Sequence, residues 1–179
     1  MRTVVTVAPT VEPITLLEAK AQLRIEAAFV TDDDYINSLI SAARGRCESY
    51  CNQYFTEQTI AIDYDGFIPV VLELPYPNLT VTSIVYTDND YNLQTVAPAD
   101  YDVDSISNKV YFNSAIQSIS FKVTCTTTVP IDISGVEHSI KLIITDLYDI
   151  RSETLVGVSL ADNPAVKALL YPFRSALGI

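Results

Sequence analysis

The spacing of apolar residues changes twice along the chain of 179 residues. In residues 1–56 and 132–179, apolar positions recur every three or four residues, a period that predicts amphipathic helices. Residues 57–131 instead alternate apolar and polar positions in short runs, which predicts strands. No helix separates these strands, so antiparallel pairing is expected. The pattern predicts an α+β fold, in which N- and C-terminal helices form a bundle and the middle is an inserted antiparallel β-sheet or small β-sandwich.

Two helices are predicted in the N-terminal segment. The first begins with a capping box, in which the Thr15 hydroxyl accepts the Glu18 N–H and the Glu18 carboxylate accepts the Thr15 N–H. The second begins in the acidic run "TDDD" at residues 31–34, because carboxylates favour the positive end of the helix dipole. Its apolar stripe consists of Ile36, Leu39, Ile40, Ala43, Cys47, Tyr50, Cys51 and Tyr54.

The C-terminal segment returns to the helical pattern. A second capping box is predicted at Ser134 and Glu137. A last short helix is predicted to begin with Asn163 as its cap and Pro164 at its first position, and to end before Pro172. The apolar stripe of the longer helix consists of Val136, Ile140, Ile143, Ile144, Leu147 and Ile150. The residues predicted for the core of the bundle are Leu39, Ile40, Ile143, Ile144 and Leu147.

Seven short runs in the middle segment are predicted strands. Turn residues separate them, notably Asp65-Gly66 and the stretch from Thr87 to Asn92. The runs are "TIAIDYDGF", "VVLEL", "TVTSIVYTD", "YNLQTV", "DYDVDS", "KVYFN" and "SISFKVTCTT".

Composition and charge limit the kinds of protein that fit. Hydrophobic residues make up 49% of the chain, yet no apolar run approaches the roughly 20 residues that span a bilayer. The opening "MRTVVTVAPTVEP" is too weakly apolar for a signal peptide, so a soluble, non-exported protein without a membrane partner is expected. The chain has 11 Lys and Arg against 22 Asp and Glu, a net charge of −11. Because Lys and Arg neutralise phosphates, this balance argues against tight DNA or RNA binding.

Cysteine and histidine give one candidate metal site. Cys47 and Cys51 lie four residues apart on the predicted second helix, and His138 could join them as a ligand. Both cysteines fall on the apolar stripe, however, where cysteine usually packs as a small hydrophobic residue. Packing is therefore favoured, and no metal or cofactor is predicted.

Two acidic runs resemble sites of chemistry. The run "DNDYN" at residues 88–92 supplies the first three ligand positions of an EF-hand loop, but Leu93 replaces the glycine and Ala99 the glutamate, which favours a turn. The run "DYDVD" at residues 100–104 is predicted to place three carboxylates on a solvated strand face rather than in an acid–base pair. Since no nucleophile motif accompanies His138, the only histidine, no catalytic residue and no enzyme activity are predicted.

Taken in order, several of these stretches resemble the head-to-tail connector (adaptor) proteins of tailed bacteriophages. The stretches are "EPITLLEAKAQLRI", "DDDYINSLISAARGRCESY", "TEQTIAI", "VPIDISGVEHSIKLIITDLYDIRSE" and "NPAVKALLYPFR". Family members typically open with "EPVTLAEAK..LR", continue with an acidic "DD..I..LI.AAR" helix and end a late helix with Tyr-x-x-Arg, here Tyr148 to Arg151. They close on a short "LL.P.R" segment, here Leu169 to Arg174.

The resemblance implies a structural virion protein that forms a ring of about twelve copies beneath the portal, extends the DNA channel and joins the head to the tail or neck. Its implied partners are the portal protein, neighbouring copies and a downstream neck or tail protein. Its implied place is the virion neck, with the host cytoplasm before assembly. The candidate portal-docking arm comprises Leu169, Leu170, Tyr171, Phe173 and Arg174. The candidate contacts between ring neighbours are Arg44, Arg46 and Arg151.

Alternatives stay open for both the C-terminal segment and the function. The segment from Asn163 to Ile179 is either a docking arm or a helix folded back on the core, because a short helix needs a surface on which to pack. The closest alternative function is another neck or tail-completion component. A host- or carbohydrate-binding β module is weaker, since the chain has no Trp.

Overall fold

A computed structural model describes residues 1–149 and 163–175, which form two compact units. The first unit consists of Met1–Val11 and Thr56–Pro130. The second consists of Glu12–Phe55 and the described residues from 131 onward. The chain therefore contributes to the helical unit twice, before and after residues Thr56–Pro130.

Within the described residues, the second unit is built from four helices and a terminal 3-10 turn. These are α1 (Leu16–Leu23), α2 (Asp33–Cys51), α3 (Ser134–Asp149), α4 (Pro164–Leu170) and the turn Tyr171–Phe173. They share one apolar core, to which α2 and α3 contribute most of the buried residues. Of the predicted core residues, Leu39, Ile40, Ile143 and Ile144 are buried, and Leu147 is partly buried against them. Ile150 lies outside the described residues.

Three of the four predicted helix starts are confirmed, and that of α3 differs. The helix α2 begins at Asp33, within the acidic run at residues 31–34. The Glu18 N–H donates to Thr15 Oγ1 (3.2 Å) and the Thr15 N–H to Glu18 Oε2 (2.8 Å), which confirms the capping box. Asn163 caps α4 as predicted. Ser134 is not the cap of α3: it is already helical, and its N–H donates to Asp132 Oδ1 (3.0 Å). A carboxylate two residues upstream accepts this N–H in a local turn, so the helix begins one residue earlier.

A buried lysine fixes the loop between α1 and α2. Lys20 is 3% exposed, and its ammonium lies 2.5 Å from Asp33 Oδ1. The same ammonium donates to the carbonyl oxygens of Phe29 (2.8 Å) and Ala27 (3.3 Å). A buried charge is tolerated when it is paired and hydrogen-bonded, and these three oxygens supply that environment. The loop is thereby held against α1.

The first unit contains two antiparallel sheets in its described residues. Its strands are β1 (Arg2–Val7), β2 (Thr59–Asp65), β3 (Val71–Glu73), β4 (Leu79–Thr87), β5 (Leu93–Thr95), β6 (Tyr101–Asp104), β7 (Lys109–Phe112) and β8 (Ser120–Thr127). The larger sheet has the order β1-β2-β8-β4-β5, and the smaller has the order β3-β7-β6. Each of the seven predicted runs coincides with one of these strands, and the α+β fold class is confirmed.

The strand β1 has no counterpart in the sequence prediction. The sequence pattern assigns residues 1–56 to the helical bundle, whereas Arg2–Val7 pairs with β2 at the edge of the larger sheet. Five of its six residues are exposed. A strand that is exposed on both faces is not constrained to alternate apolar and polar residues, so it leaves no period to detect.

The register of the larger sheet explains its buried face. Ile62, Val123 and Ile84 lie directly opposite one another on β2, β8 and β4, and all three are fully buried. Residues opposite each other in an antiparallel pair point to the same face. The next row, with Asp63, Lys122 and Val85, therefore faces the other way, and there the Lys122 ammonium lies 3.6 Å from the Asp63 carboxylate.

The capping box at α1 predicts how pH affects stability. The Thr15 N–H and hydroxyl, followed by Lys141, lower the pKa of Glu18 from 4.5 to about 2. Because the folded-state pKa is lowered, this stabilisation is present above pH 4.5 and is lost as the pH falls toward 2. Thr15→Ala should lower the free energy of unfolding at neutral pH by about 1 kcal/mol. It should also raise the pKa of Glu18, which NMR titration of its carboxyl group would measure. An unchanged pKa would contradict the assigned hydroxyl contact.

Candidate interaction surfaces

The C-terminal segment is bonded to the end of α2. The Ser175 N–H donates to the Cys51 carbonyl (2.8 Å), and the Gln53 amide donates to the Phe173 carbonyl (2.7 Å). The rings of Phe173 and Phe55 meet edge to face, with centroids 6.1 Å apart. These contacts hold the described part of the segment, residues 163–175, on the helical core. This is the folded-back arrangement that the sequence left open.

A glycine on α3 leaves room for the segment. A Cβ atom at Gly135 would lie 2.8 Å from Phe173 Cε2 and 3.2 Å from the Leu169 carbonyl oxygen. Gly45 on α2 differs, because a Cβ there would meet no described atom within 4 Å. Gly135 is thus required by packing inside the chain, whereas Gly45 is not.

The five predicted portal-docking residues divide between the core and the surface. Leu170 is 2% exposed, and Phe173 packs on Phe55, so both serve the core. Leu169 is half-buried. Tyr171 is 71% exposed, and the exposed Arg174 places its guanidinium 5.7 Å from the centroid of the Tyr50 ring. Only Tyr171 and Arg174 offer mainly exposed side chains to a partner while the segment stays folded.

Among the three predicted ring-contact arginines, Arg44 is engaged within its own chain. Its guanidinium donates to Glu12 Oε2 (2.7 Å), Glu48 Oε2 (2.9 Å) and Ser41 Oγ (3.3 Å). Glu48 also accepts the Phe55 N–H (3.0 Å), and burial raises its pKa. Arg44 is therefore paired with two carboxylates of its own chain, and as a ring contact it stays a prediction.

The other two arginines have different positions. Arg46 is exposed on α2, one residue before the buried Cys47. Arg151 lies outside the described residues. Both stay predictions as ring contacts.

The structure separates the residues of the candidate metal site. Cys47 and Cys51 are buried in the helical core, and burial raises their thiol pKa to about 12 and about 11. His138 is exposed. Across residues 1–149 and 163–175, no group of three His, Cys, Asp or Glu side chains is placed to hold a metal ion.

The first acidic run forms a turn, and the second lies mostly on β6 (Tyr101–Asp104). Asp88 Oδ1 accepts the Asn92 N–H (2.8 Å) and the Asp90 N–H (3.0 Å) in the turn before β5, and these bonds lower the pKa of Asp88. Of the three carboxylates expected on one face at residues 100–104, Asp102 and Asp104 lie two residues apart on β6 and so share a face. Asp100 belongs to a 3-10 turn instead, and Asp104 accepts a hydrogen bond from the Ser107 hydroxyl in the turn after β6. Asp stabilises turns by accepting nearby N–H groups, which accounts for Asp88 and Asp104.

The described residues were also compared with the requirements for a membrane-spanning helix. None of the helices there combines the length and apolarity needed to cross a bilayer.

The comparisons with known proteins give the family. Residues 13–174 match the family model described as phage gp6-like head-tail connector protein. The chain belongs to this family. The match takes in both helical stretches and nearly the whole sheet unit, and it confirms the resemblance drawn from the sequence. No curated protein sequence matches the connector.

Solved structures share the fold of the connector. A chain from the neck of an empty gene transfer agent (GTA) particle, computed with C6 symmetry, matches with a TM-score of 0.75 and 17% identity over 98% of the connector and 96% of that chain. A chain from the virion of a native GTA particle gives 0.74 and 16% over the same shares. A chain from the neck of a native GTA particle, computed with C12 symmetry, gives 0.64 and 15% over 96% of each chain. At these identities the likeness concerns the fold.

Two features of the connector were missed in the sequence. Lys20 lies on the predicted first helix, and no pattern in the sequence indicates that it is buried. The oxygen atoms that surround its ammonium come from the loop after the helix and from the start of α2, which the helical period does not record. The strand β1 could have been inferred from the β-branched run Thr3–Val7, since such residues favour strands.

The two glycines provide a matched test of how the C-terminal segment is held. Gly135→Ala should lower the free energy of unfolding by about 1–2 kcal/mol, because the new methyl group displaces Phe173. Gly45→Ala should raise it by about 0.5–1 kcal/mol, because alanine is the better helix former and nothing described opposes it. Urea denaturation of both variants measures the difference. Equal stabilisation by both substitutions would show that Phe173 does not occupy this position.

Proposed function

We propose that the connector is a structural virion protein, a head-to-tail adaptor that forms a ring of about twelve copies beneath the portal. The ring extends the DNA channel and joins the head to the tail or neck. The observation that carries this proposal is the family match over residues 13–174. The fold supports it, because chains of the same fold occur in necks computed with C6 and C12 symmetry.

In this role the protein acts through its surfaces, and no residue has a catalytic, metal-binding or cofactor-binding role. Two carboxyl groups with shifted pKa values have structural partners instead: Glu18 caps α1, and Glu48 pairs with Arg44. The proposed partners are the portal, neighbouring copies and a downstream neck or tail protein, with no membrane partner. The protein would occupy the virion neck, and the host cytoplasm before assembly.

The charge of the chain suits a passage for DNA. At −11 for each copy, a ring of about twelve would carry roughly −130, screened over about 10 Å at 0.1 M salt. Much of this charge is in the sheet unit, where residues 57–126 hold nine Asp and Glu against two Lys. Phosphates then meet like charge rather than Lys and Arg, so the proposal includes no tight DNA binding.

Electron microscopy of the purified protein mixed with its portal tests the assignment. We expect a ring of about twelve copies on the tail-facing side of the portal, since closed cyclic symmetry is the usual result of repeated identical contacts. Binding to the next neck component without binding to the portal would instead favour another neck or tail-completion role. Failure to bind either, with binding to host glycans, would favour the host-binding module.

Adjacent residues of the C-terminal segment separate docking from folding. Tyr171→Ala should leave the melting temperature nearly unchanged but weaken portal binding, because the Tyr171 side chain is mainly exposed. Leu170→Ala should lower the free energy of unfolding by about 2–4 kcal/mol, because it leaves a cavity in the helical core. Thermal denaturation and a portal pull-down measure the two effects. Unchanged portal binding in Tyr171→Ala would exclude this face as the docking site.

A further inference from the structure

The strand β1 leaves one edge of the larger sheet open. Among the described residues, β1 and β5 are the two end strands of that sheet, and each pairs with a strand on one side only. Edge strands expose unpaired N–H and C=O groups, and proteins commonly protect them with charged side chains or proline. β1 has no charged residue after Arg2, and Val4, Val5 and Val7 are exposed. Such an edge is suited to pairing with another strand.

The two open edges have the same direction and opposite charge. Successive neighbours from β1 to β5 are antiparallel, so these two strands, which have three strands between them, run the same way. β1 begins at Arg2, whereas β5 follows a turn that contains Asp88 and Asp90. No Lys or Arg occurs from Leu79 to Thr95. Two edges of matching direction and opposite charge complement each other when they come from different copies.

Apolar side chains are also exposed at both edges. Val7 is 56% exposed near the end of β1, and Leu93 is 75% exposed at the start of β5. Burying exposed apolar area of this kind favours association.

We propose that β1 of one copy pairs in parallel with β5 of the next copy, so that the larger sheet continues between ring neighbours. This inference rests on the proposed ring. A contact between two different edges is heterologous and can close into a ring, whereas pairing of β1 with β1 would join two copies and stop. In the parallel arrangement the starts of the two strands lie at the same end, which brings Arg2 toward Asp88 and Asp90 of the neighbour.

The register identifies positions that face the same way at the two edges. One row across the five strands consists of Arg2, Asp63, Lys122, Val85 and Thr95. Val4 lies two residues after Arg2, while Leu93 and Ala97 lie two residues before and after Thr95. Ala97 follows the last residue of β5, but its backbone is still extended and the intervening Val96 is buried. Because side chains alternate with a period of two, all four of these positions share that face. Leu93, Thr95 and Ala97 therefore sample three registers against Val4.

Disulfide trapping can detect this contact without ambiguity about its origin. Within one chain, β1 and β5 are four strand spacings apart, about 19 Å, whereas a disulfide requires Cα atoms within roughly 7 Å. A disulfide between the two edges must therefore join different copies. The native thiols give little background, because burial raises the pKa of Cys47, Cys51 and Cys125 to about 12, 11 and 12.

The experiment combines Val4→Cys with Leu93→Cys, Thr95→Cys or Ala97→Cys in the full-length protein. Each variant is oxidised at high protein concentration and moderate salt and then run on a non-reducing gel. At least one pair should give a ladder beyond the dimer, with about tenfold more multimer than the control, since neighbouring edges have a high effective concentration. The matched control is Val4→Cys with Ile106→Cys, an exposed position in the turn between β6 and β7.

The outcomes separate this inference from the proposed function. Covalent dimers from Val4→Cys alone, without a longer ladder in any pair, would show that β1 pairs with β1 and would overturn the proposal. No ladder in any register, while microscopy shows wild-type rings on the portal, would overturn the edge contact and leave the adaptor function standing. Absence of both rings and ladders would contradict the edge contact and the adaptor function together.

Discussion

The helical core depends on contacts between two stretches of chain that are separated in sequence by residues Thr56–Pro130 of the sheet unit. Closing such a long loop costs conformational entropy, although the cost rises slowly with loop length. The shared apolar core of α2 and α3 supplies the main compensation. Polar contacts set the alignment: Tyr148 donates to Asp32 Oδ2 (2.5 Å), and Lys141 pairs with Glu18 (3.1 Å). Without this closure, neither α3 nor the C-terminal segment would have a surface on which to pack.

That closure also determines which side chains are left for partners. Phe173 and Leu170 complete the core beside Phe55 and Cys51, which leaves Tyr171 and Arg174 exposed in a fixed position. A segment held in this way would lose less conformational entropy on binding a partner than a free arm would. The same reasoning applies to α2, where Arg44 serves an internal network. The available surface is therefore smaller than the composition of these helices suggests.

The sheet unit differs from the helical unit, because among the described residues the end strands of its larger sheet have backbone N–H and C=O groups that no neighbouring strand pairs. Strands β2, β8 and β4 share a face whose central row, Ile62, Val123 and Ile84, is fully buried. The outer strands β1 and β5 add backbone pairing but bury little side-chain area of their own. In a family of head-tail connectors, a stable sheet with open edges fits a protein whose contacts are completed during assembly.

The sequence by itself determined the helices, seven of the strands, the α+β class and the family. Each of these leaves a local signal: a capping box at Thr15, an apolar stripe from Ile36 to Cys51, or alternation within a run. The tertiary structure alone decided the rest. Lys20 is buried and holds the loop between α1 and α2, Arg44 pairs with carboxylates of its own chain, and Arg2–Val7 forms an edge strand. The physical reason is that burial, ion pairing and strand pairing depend on residues distant in sequence, which no local period records.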